Sequence, residues 1–252
     1  VLAVAAGFGH TCAIQTDGQL ACFGCNEHGQ CAVPEDLGPV LAVAAGFWHT
    51  CAIQADGQLV CFGDNEHGQC AVPEDLGPVL AVAAGHWHTC AIQADGQLVC
   101  FGDNSFGQCD LPENLRPVLA VAAGQHQTCA IQEDGQLVCL DTTVTANVIV
   151  LDVPENLGPV LAVAAGRYHT CAIQADGQLV CFGMNAFGQC LFWRQRTGQM
   201  CRASKPIIRT YDGCSRRRTP YLCRLGWATG LFLGNWSVLE TTKMANVQCQ
   251  QT

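Results

Sequence analysis

Histidine and cysteine recur in this chain at fixed distances, and theirs are the side chains with the most chemistry to offer. His10, His49, His88 and His169 each stand two residues before a cysteine (Cys12, Cys51, Cys90, Cys171), while Gln127 holds the histidine's place before Cys129. Ten residues after each of these cysteines comes another, giving the pairs Cys12–Cys22, Cys51–Cys61, Cys90–Cys100, Cys129–Cys139 and Cys171–Cys181. A metal centre needs several such ligands within a few ångströms of one ion. Ligands placed one per unit lie a unit apart, so the histidines are read as hydrogen-bonding neighbouring backbone at the start of a strand. The cysteine pairs suit cross-strand disulfides in an oxidising setting and packed thiols in a reducing one. Duplication multiplies cysteines without any demand for oxidation, so thiols are the preferred reading. Cys22-Phe23-Gly24-Cys25 is a lone CxxC; Asp64, Asp103 and Met184 replace its second cysteine elsewhere, and no second pair accompanies it. No metal or cofactor is expected.

Nothing resembles a catalytic set. The chain has no Gly-x-Ser-x-Gly elbow, phosphate loop or His-Glu-x-x-His motif. Pairs such as Asp56-Gly57 are turn residues. Cys249 has no context that would make it a nucleophile. The expectation is a protein without catalysis of its own.

The elements that must position these residues belong to a 39-residue unit that recurs five times, at 1–39, 40–78, 79–117, 118–159 and 160–193. The fourth copy carries three extra residues and the fifth is cut short. A period of this length marks a propeller or solenoid, whose units bury their cores against each other. Within a unit, VLAVAAG is β-compatible and ends in glycine. HTCAIQ and QLVCFG flank an Asp-Gly turn, a strong hairpin signal. A three-residue loop with glycine in the left-handed position sets Cys51 opposite Cys61 and Ile53 by Leu59, with Cys51 and Ile53 on one face and Ala52 on the other. A Gly-x-Asn-x-x-Gly-Gln-Cys turn follows. Two prolines then exclude a helix before the next unit. The fold class read here is all-β, with three or four short antiparallel strands per unit.

Charge divides the chain. Residues 1–193 hold 19 Asp and Glu against Arg116 and Arg167; residues 194–252 hold ten Lys and Arg against Asp212 and Glu240. The acidic repeats repel phosphate backbones, so nucleic acid is not expected as a partner, whereas a basic protein is. The apolar runs are too short to cross a bilayer, and no membrane partner is expected. The chain begins without Met inside an apolar segment, as a fragment or a lost start would. Residues 194–252 show no period and read as a basic, irregular tail, with a sequon at Asn235-Trp236-Ser237.

The order Gly-x-x-His-Thr-x-Ala-Ile-x-x-Asp-Gly-x-Leu-x-x-Phe-Gly-x-Asn-x-x-Gly-Gln resembles the repeat of the regulator of chromosome condensation (RCC1) family over residues 1–190. That family has Trp-Gly where this chain has Phe62-Gly63, and Gly-Gln-Leu where it has Gly68-Gln69-Cys70. The resemblance implies a β-propeller, usually of seven blades; five are recognisable here. The fourth unit departs from the pattern with LDTTVTANVIVL (residues 140–151), itself strand-like. Members of the family include exchange factors for the GTPase Ran, domains of HECT-type ubiquitin ligases, a plant photoreceptor and a secreted lactamase inhibitor. The resemblance therefore implies a non-catalytic interaction scaffold, with a ligase fragment or an exchange factor as alternatives. Localisation is expected to be cytoplasmic or nuclear, or secreted if the cysteine pairs are oxidised.

The units differ mainly in two loops, and loops on a rigid scaffold are where recognition usually sits. Phe47-Trp48, His86-Trp87 and Arg167-Tyr168 come from the first loop; Asp64, Glu66, His67 and Phe106 come from the second. These are the candidate partner-binding residues, with Trp48, Trp87 and Tyr168 as aromatic anchors on one arc.

Overall fold

The computed structural model describes residues 1–140, 153–185, 188–190, 192–193 and 200–201. The described residues form five three-stranded antiparallel sheets and contain no helix. The sheets are β1 Ala3–Ala6, β2 His10–Ile14 and β3 Leu20–Gly24; β4 Val40–Ala45, β5 His49–Gln54 and β6 Leu59–Gly63; β7 Val79–Ala84, β8 His88–Gln93 and β9 Leu98–Gly102; β10 Val118–Ala123, β11 Thr128–Gln132 and β12 Leu137–Leu140; β13 Val160–Ala165, β14 His169–Gln174 and β15 Leu179–Gly183. A short pair, β16 Phe192–Trp193 and β17 Met200–Cys201, follows. The rest of the basic tail, the strand-like run beyond Leu140 and the sequon at Asn235 lie outside the described residues.

Each blade is a meander whose hairpin has the register that its sequence sets. Ile53 opposes Leu59 and Cys51 opposes Cys61 across β5 and β6. The turn is closed by the Gln54 N–H on the Gln58 carbonyl at 2.9 Å, with Gly57 at φ 86°. A residue with a Cβ is strained in that conformation.

The middle strands of the second, third and fourth blades are buried on both faces, because a blade lies against each. Cys51 and Ile53 pack forward onto Val79 and Ala91 of the next blade. Ala52 packs backward with Cys12 and Ile14 of the previous one. The third and fourth blades repeat the arrangement. Ile14, Ile53, Ile92 and Ile131 are only 1–3% exposed, and burying each contributes roughly 2–3 kcal/mol. The alanine-rich inner strands of successive blades pack on one another in chain order, where small side chains permit close approach.

The structure sets the sulfurs of all five cysteine pairs at bonding distance, the arrangement that the disulfide reading expects. Their Cα atoms stand 4.0–4.1 Å apart, below the 4.4 Å lower end of the usual range. A non-hydrogen-bonded antiparallel pair already stands about 4.5 Å apart between Cα atoms, so the register supplies most of this approach. Each bond closes a loop of 10 residues and contributes roughly 2–3 kcal/mol on a chain-entropy account. Cys22 is therefore joined to Cys12, and the CxxC is not a unit. Non-reducing peptide mapping should recover each of the five linked hairpins; free Cys51 and Cys61 in oxidised protein would contradict the assignment.

Candidate functional site

The repeated polar residues form a relay across each seam between blades. The Thr50 hydroxyl donates to the Gln30 carbonyl of the preceding unit at 2.9 Å. Its only proton is thereby committed, so it accepts from His10 Nε2, 2.9 Å away. His49 meets Thr89 at 3.0 Å in the same way, since Thr89 donates to the Gln69 carbonyl at 2.8 Å, and His88 Nε2 lies 2.9 Å from the Thr128 hydroxyl. The expected histidine–backbone bond is thus replaced by a bond to a hydroxyl of the next unit. Gln127, in the histidine's place, does reach backbone: its Nε2 donates to the Gly166 carbonyl at 2.9 Å. Gln30 Oε1 accepts the His28 N–H, and Asn26 Oδ1 accepts that of Cys31, which closes the outer loop.

The ring of each histidine lies over a glycine. A Cβ on Gly46 would sit 2.3 Å from His49 Cε1 and 2.6 Å from the Gly85 carbonyl. Burial holds His49 down to about 3, helped by repulsion from His88, His10 and His86. His88 lies at about 4, again through burial, against the opposing pull of Asp103. Both rings are neutral, and Thr89, whose proton goes to the Gln69 carbonyl, sets that of His49 on Nε2; the Nδ1 atoms are buried with no hydrogen-bond partner among the described residues.

Beside these histidines lies the arc of variable loops. The first residues of the loops stack across blades: Phe8 on Phe47 with centroids 4.2 Å apart, and Phe47 on His86 at 3.8 Å. Gln125 continues the row and accepts from Arg167 Nε. The second residues take the neighbouring blade's outer loop: His28 lies on Trp48 at 4.3 Å, His67 on Trp87 at 4.8 Å and Phe106 on His126 at 4.1 Å. Arg167 sits 5.0 Å over Tyr168. Backbone bonds fix the arrangement: Phe47 N–H donates to Gly85 O across blades, and Asp64 N–H to Trp48 O within one.

The two candidate loop sets are therefore one surface. Trp48, Trp87 and Tyr168 are half-buried, Phe8, Arg167, Glu66 and His67 are exposed, and Phe106 is half-buried. Asp64 does not face outward; it is 7% exposed, and its Oδ1 accepts the Glu66 N–H at 3.2 Å. Phe8, His28 and His126 are not among the candidates named from the sequence, although all three occupy loop positions at which the units differ. His86 is pushed down to about 4 by burial, then by His126, Arg167 and His67. At neutral pH the arc is thus mostly neutral rings, with Arg167 at one end.

Acid should loosen the seams. Unfolded imidazole titrates near 6.5, while folded His49 and His88 titrate at about 3 and about 4. Between those values the unfolded chain binds more protons. Stability is then fully present above pH ~6.5 and falls as pH drops, by about 1.4 kcal/mol per pH unit for each such ring. Urea melts from pH 7 to 4.5 should show this slope. His49→Gln with His88→Gln, copying Gln127, should flatten it; an unchanged slope would place the acid sensitivity elsewhere.

The model of the regulator of chromosome condensation (RCC1) repeat matches residues 1–30, 40–69, 79–108 and 160–189, omitting the altered fourth unit. No curated protein matches the sequence. Among solved structures, human WBSCR16 is similar at 20% identity and a TM-score of 0.61, over 72% of this chain and 61% of that one. Prp20p from Saccharomyces cerevisiae, whose binding to Gsp1p and histones has been studied, is similar at 22% identity and a TM-score of 0.59, over 73% of this chain and 58% of that one. The CRINKLY ectodomain of the Arabidopsis thaliana receptor kinase ACR4 is similar at 24% identity and a TM-score of 0.58, over 72% and 65%. The chain spans less than two thirds of the length of each of these structures. Sheet order and family match agree: four units of this chain are RCC1 repeats, and the repeat region has the fold of RCC1-like β-propellers.

Proposed function

We propose that this protein is a non-catalytic scaffold that binds a protein partner through the aromatic arc. The observation that carries the reading is the division of labour among the histidines, threonines, glutamines and asparagines. Those common to the units are engaged within the scaffold, whereas the residues that differ between units gather on one half-exposed surface. Half-buried tryptophans held by stacking are pre-organised anchors of the kind that dominate interfaces. The acidic balance of the repeats favours a basic partner and a salt-sensitive association. The similarity to Prp20p, studied for binding to Gsp1p and histones, supports a protein as the partner. It also keeps an exchange-factor role as a second reading, and membership in a ubiquitin ligase is a third.

The five bonded hairpins favour work in an oxidising compartment, and the similarity to a receptor-kinase ectodomain agrees. Among the described residues, no helix is long and apolar enough to cross a membrane. The intracellular alternative would require these hairpins to survive as dithiols.

Purified core histones provide a basic protein probe. Trp48→Ala with Trp87→Ala should weaken binding by about 2 kcal/mol or more, as loss of aromatic anchors does, and leave the thermal melt nearly unchanged. Full binding combined with a large loss of stability would mean that the rings serve only to pack one blade on the next.

A further inference from the structure

The end of the blades opposite the arc carries an apolar row that the fold leaves uncovered. Each inner strand in blades two to five begins with a slip in its ladder. In β4, Val40 opposes Gln54 and Ala42 opposes Ile53, so Leu41 is the extra residue of a bulge. The same slip occurs in β7, β10 and β13. A bulge re-aims the side chain it carries. Leu41, Leu80, Leu119 and Leu161 are accordingly 66–67% exposed, and Leu2 at the matching position is 64% exposed. The valine before each of the four bulged leucines is only 2–3% exposed. Since the inner strands pack on one another in order, the leucines fall in a row. Leu41 starts β4 and Phe47 follows its end, so the row and the arc occupy opposite ends of the blades.

An aspartate turn is tied through backbone to the residue before each of four leucines. The Val79 N–H bonds the Gly57 carbonyl at 2.8 Å, which sets Leu80 against the turn that carries Asp56. The same bond, from Val40 to Gly18, Val118 to Gly96 and Val160 to Gly135, sets Leu41, Leu119 and Leu161 by the turns of Asp17, Asp95 and Asp134. In each turn one carboxylate oxygen accepts the amide two residues on, at 2.9–3.0 Å. One turn also shows what its second oxygen accepts. Arg116 stands where other units have Gly38, Gly77 and Gly158, and its Nη2 lies 2.7 Å from Asp134 Oδ2.

We propose that this face docks a cationic amphipathic segment of a partner protein, with its apolar side on the leucine row and its lysines or arginines at the aspartate turns. Charge decides the occupant: residues 1–193 carry 19 acidic side chains and two arginines, one of which already occupies such a turn. An exposed apolar row rimmed by charge of one sign marks an interaction surface. The surface shares no residue with the aromatic arc, and the inference does not depend on the arc's binding anything.

The test uses the full chain and a fluorescein-labelled Leu/Lys amphipathic helix of about 18 residues, five turns, followed by anisotropy. Binding should weaken with salt, and a Leu/Glu helix of the same pattern should not bind. Leu41→Ser with Leu80→Ser and Leu119→Ser should weaken binding at least about tenfold, with an unchanged thermal melt. Asp17→Asn with Asp56→Asn and Asp95→Asn should flatten the salt dependence. Trp48→Ala with Trp87→Ala should leave this binding unchanged, which separates it from the arc. Equal affinity of the leucine variant, or equal binding of the Leu/Glu helix, would overturn the proposal. So would sedimentation showing that the leucines hold two copies of the chain together. Carbodiimide cross-links from Asp56 to Lys205 or Lys243 would also overturn it, assigning the face to the chain's own basic segment.

Discussion

One proton on a buried imidazole decides how successive blades meet. At the first two seams the threonine hydroxyl, Thr50 or Thr89, has a single hydrogen, which goes to a glutamine carbonyl of the preceding blade. It can then only accept, so the histidine must donate from Nε2. The opposite ring nitrogen faces a glycine at a distance where a methyl group could not fit, with no polar partner. A second proton there would be a buried charge with nothing to bond, an expensive state. The seam therefore requires neutral histidine, glycine under the ring and threonine on the next blade. These are the residues that the unit repeats, and Gln127, which differs, joins the same two blades through backbone instead.

The arc follows from the seam. Glycine at position 46 allows the chain to turn tightly beside His49, and the next residue then donates its amide to the following blade's Gly85 carbonyl. That bond recurs at Phe8 and His86, and Gln125 donates to the Arg167 carbonyl, one residue on, so the loop tips are laid side by side whatever their side chains. The outer loops are tied to the same tips through the carbonyls of Gly9, Trp48, Trp87 and Tyr168. Stacking of His28 on Trp48, and of His67 on Trp87, is a consequence of this backbone frame. The side chains can differ between units without disturbing what holds the units together.

Interactions within one unit were legible in the sequence; those between units were not. The Asp-Gly turn set the hairpin register, and with it the opposition of Cys51 and Cys61, because both depend on contacts within about ten residues. Oxidation state was not legible, because residue spacing carries no signal of it. The histidine was assigned a backbone partner because its true partner, the next unit's threonine, lies 40 residues away across a seam. Asp64 resembled a variable surface residue, yet its carboxylate folds back on its own loop as short acidic side chains often do. The leucine row was hidden by the bulge, since strict alternation would place Leu41 on the same side as the buried Val43.

Each blade thus has one end that the scaffold fixes and others that it leaves open. A seam residue must fit the unit before it and the unit after it, so a change in one copy is felt at two contacts. A loop tip need only carry its backbone bond, and the five tips are accordingly Phe8-Gly9, Phe47-Trp48, His86-Trp87, Gln125-His126 and Arg167-Tyr168. The leucine and the Asp-Gly turn recur in every unit, although the leucine side chain is about two-thirds exposed. Packing does not require leucine there, because the bulge directs the side chain away from the neighbouring blade. An uncovered apolar side chain gains nothing in folding. Its presence in all five units, always at the same end as the aspartate turn, is therefore left unexplained by the seam, and that end of the blades calls for a separate physical account from the arc.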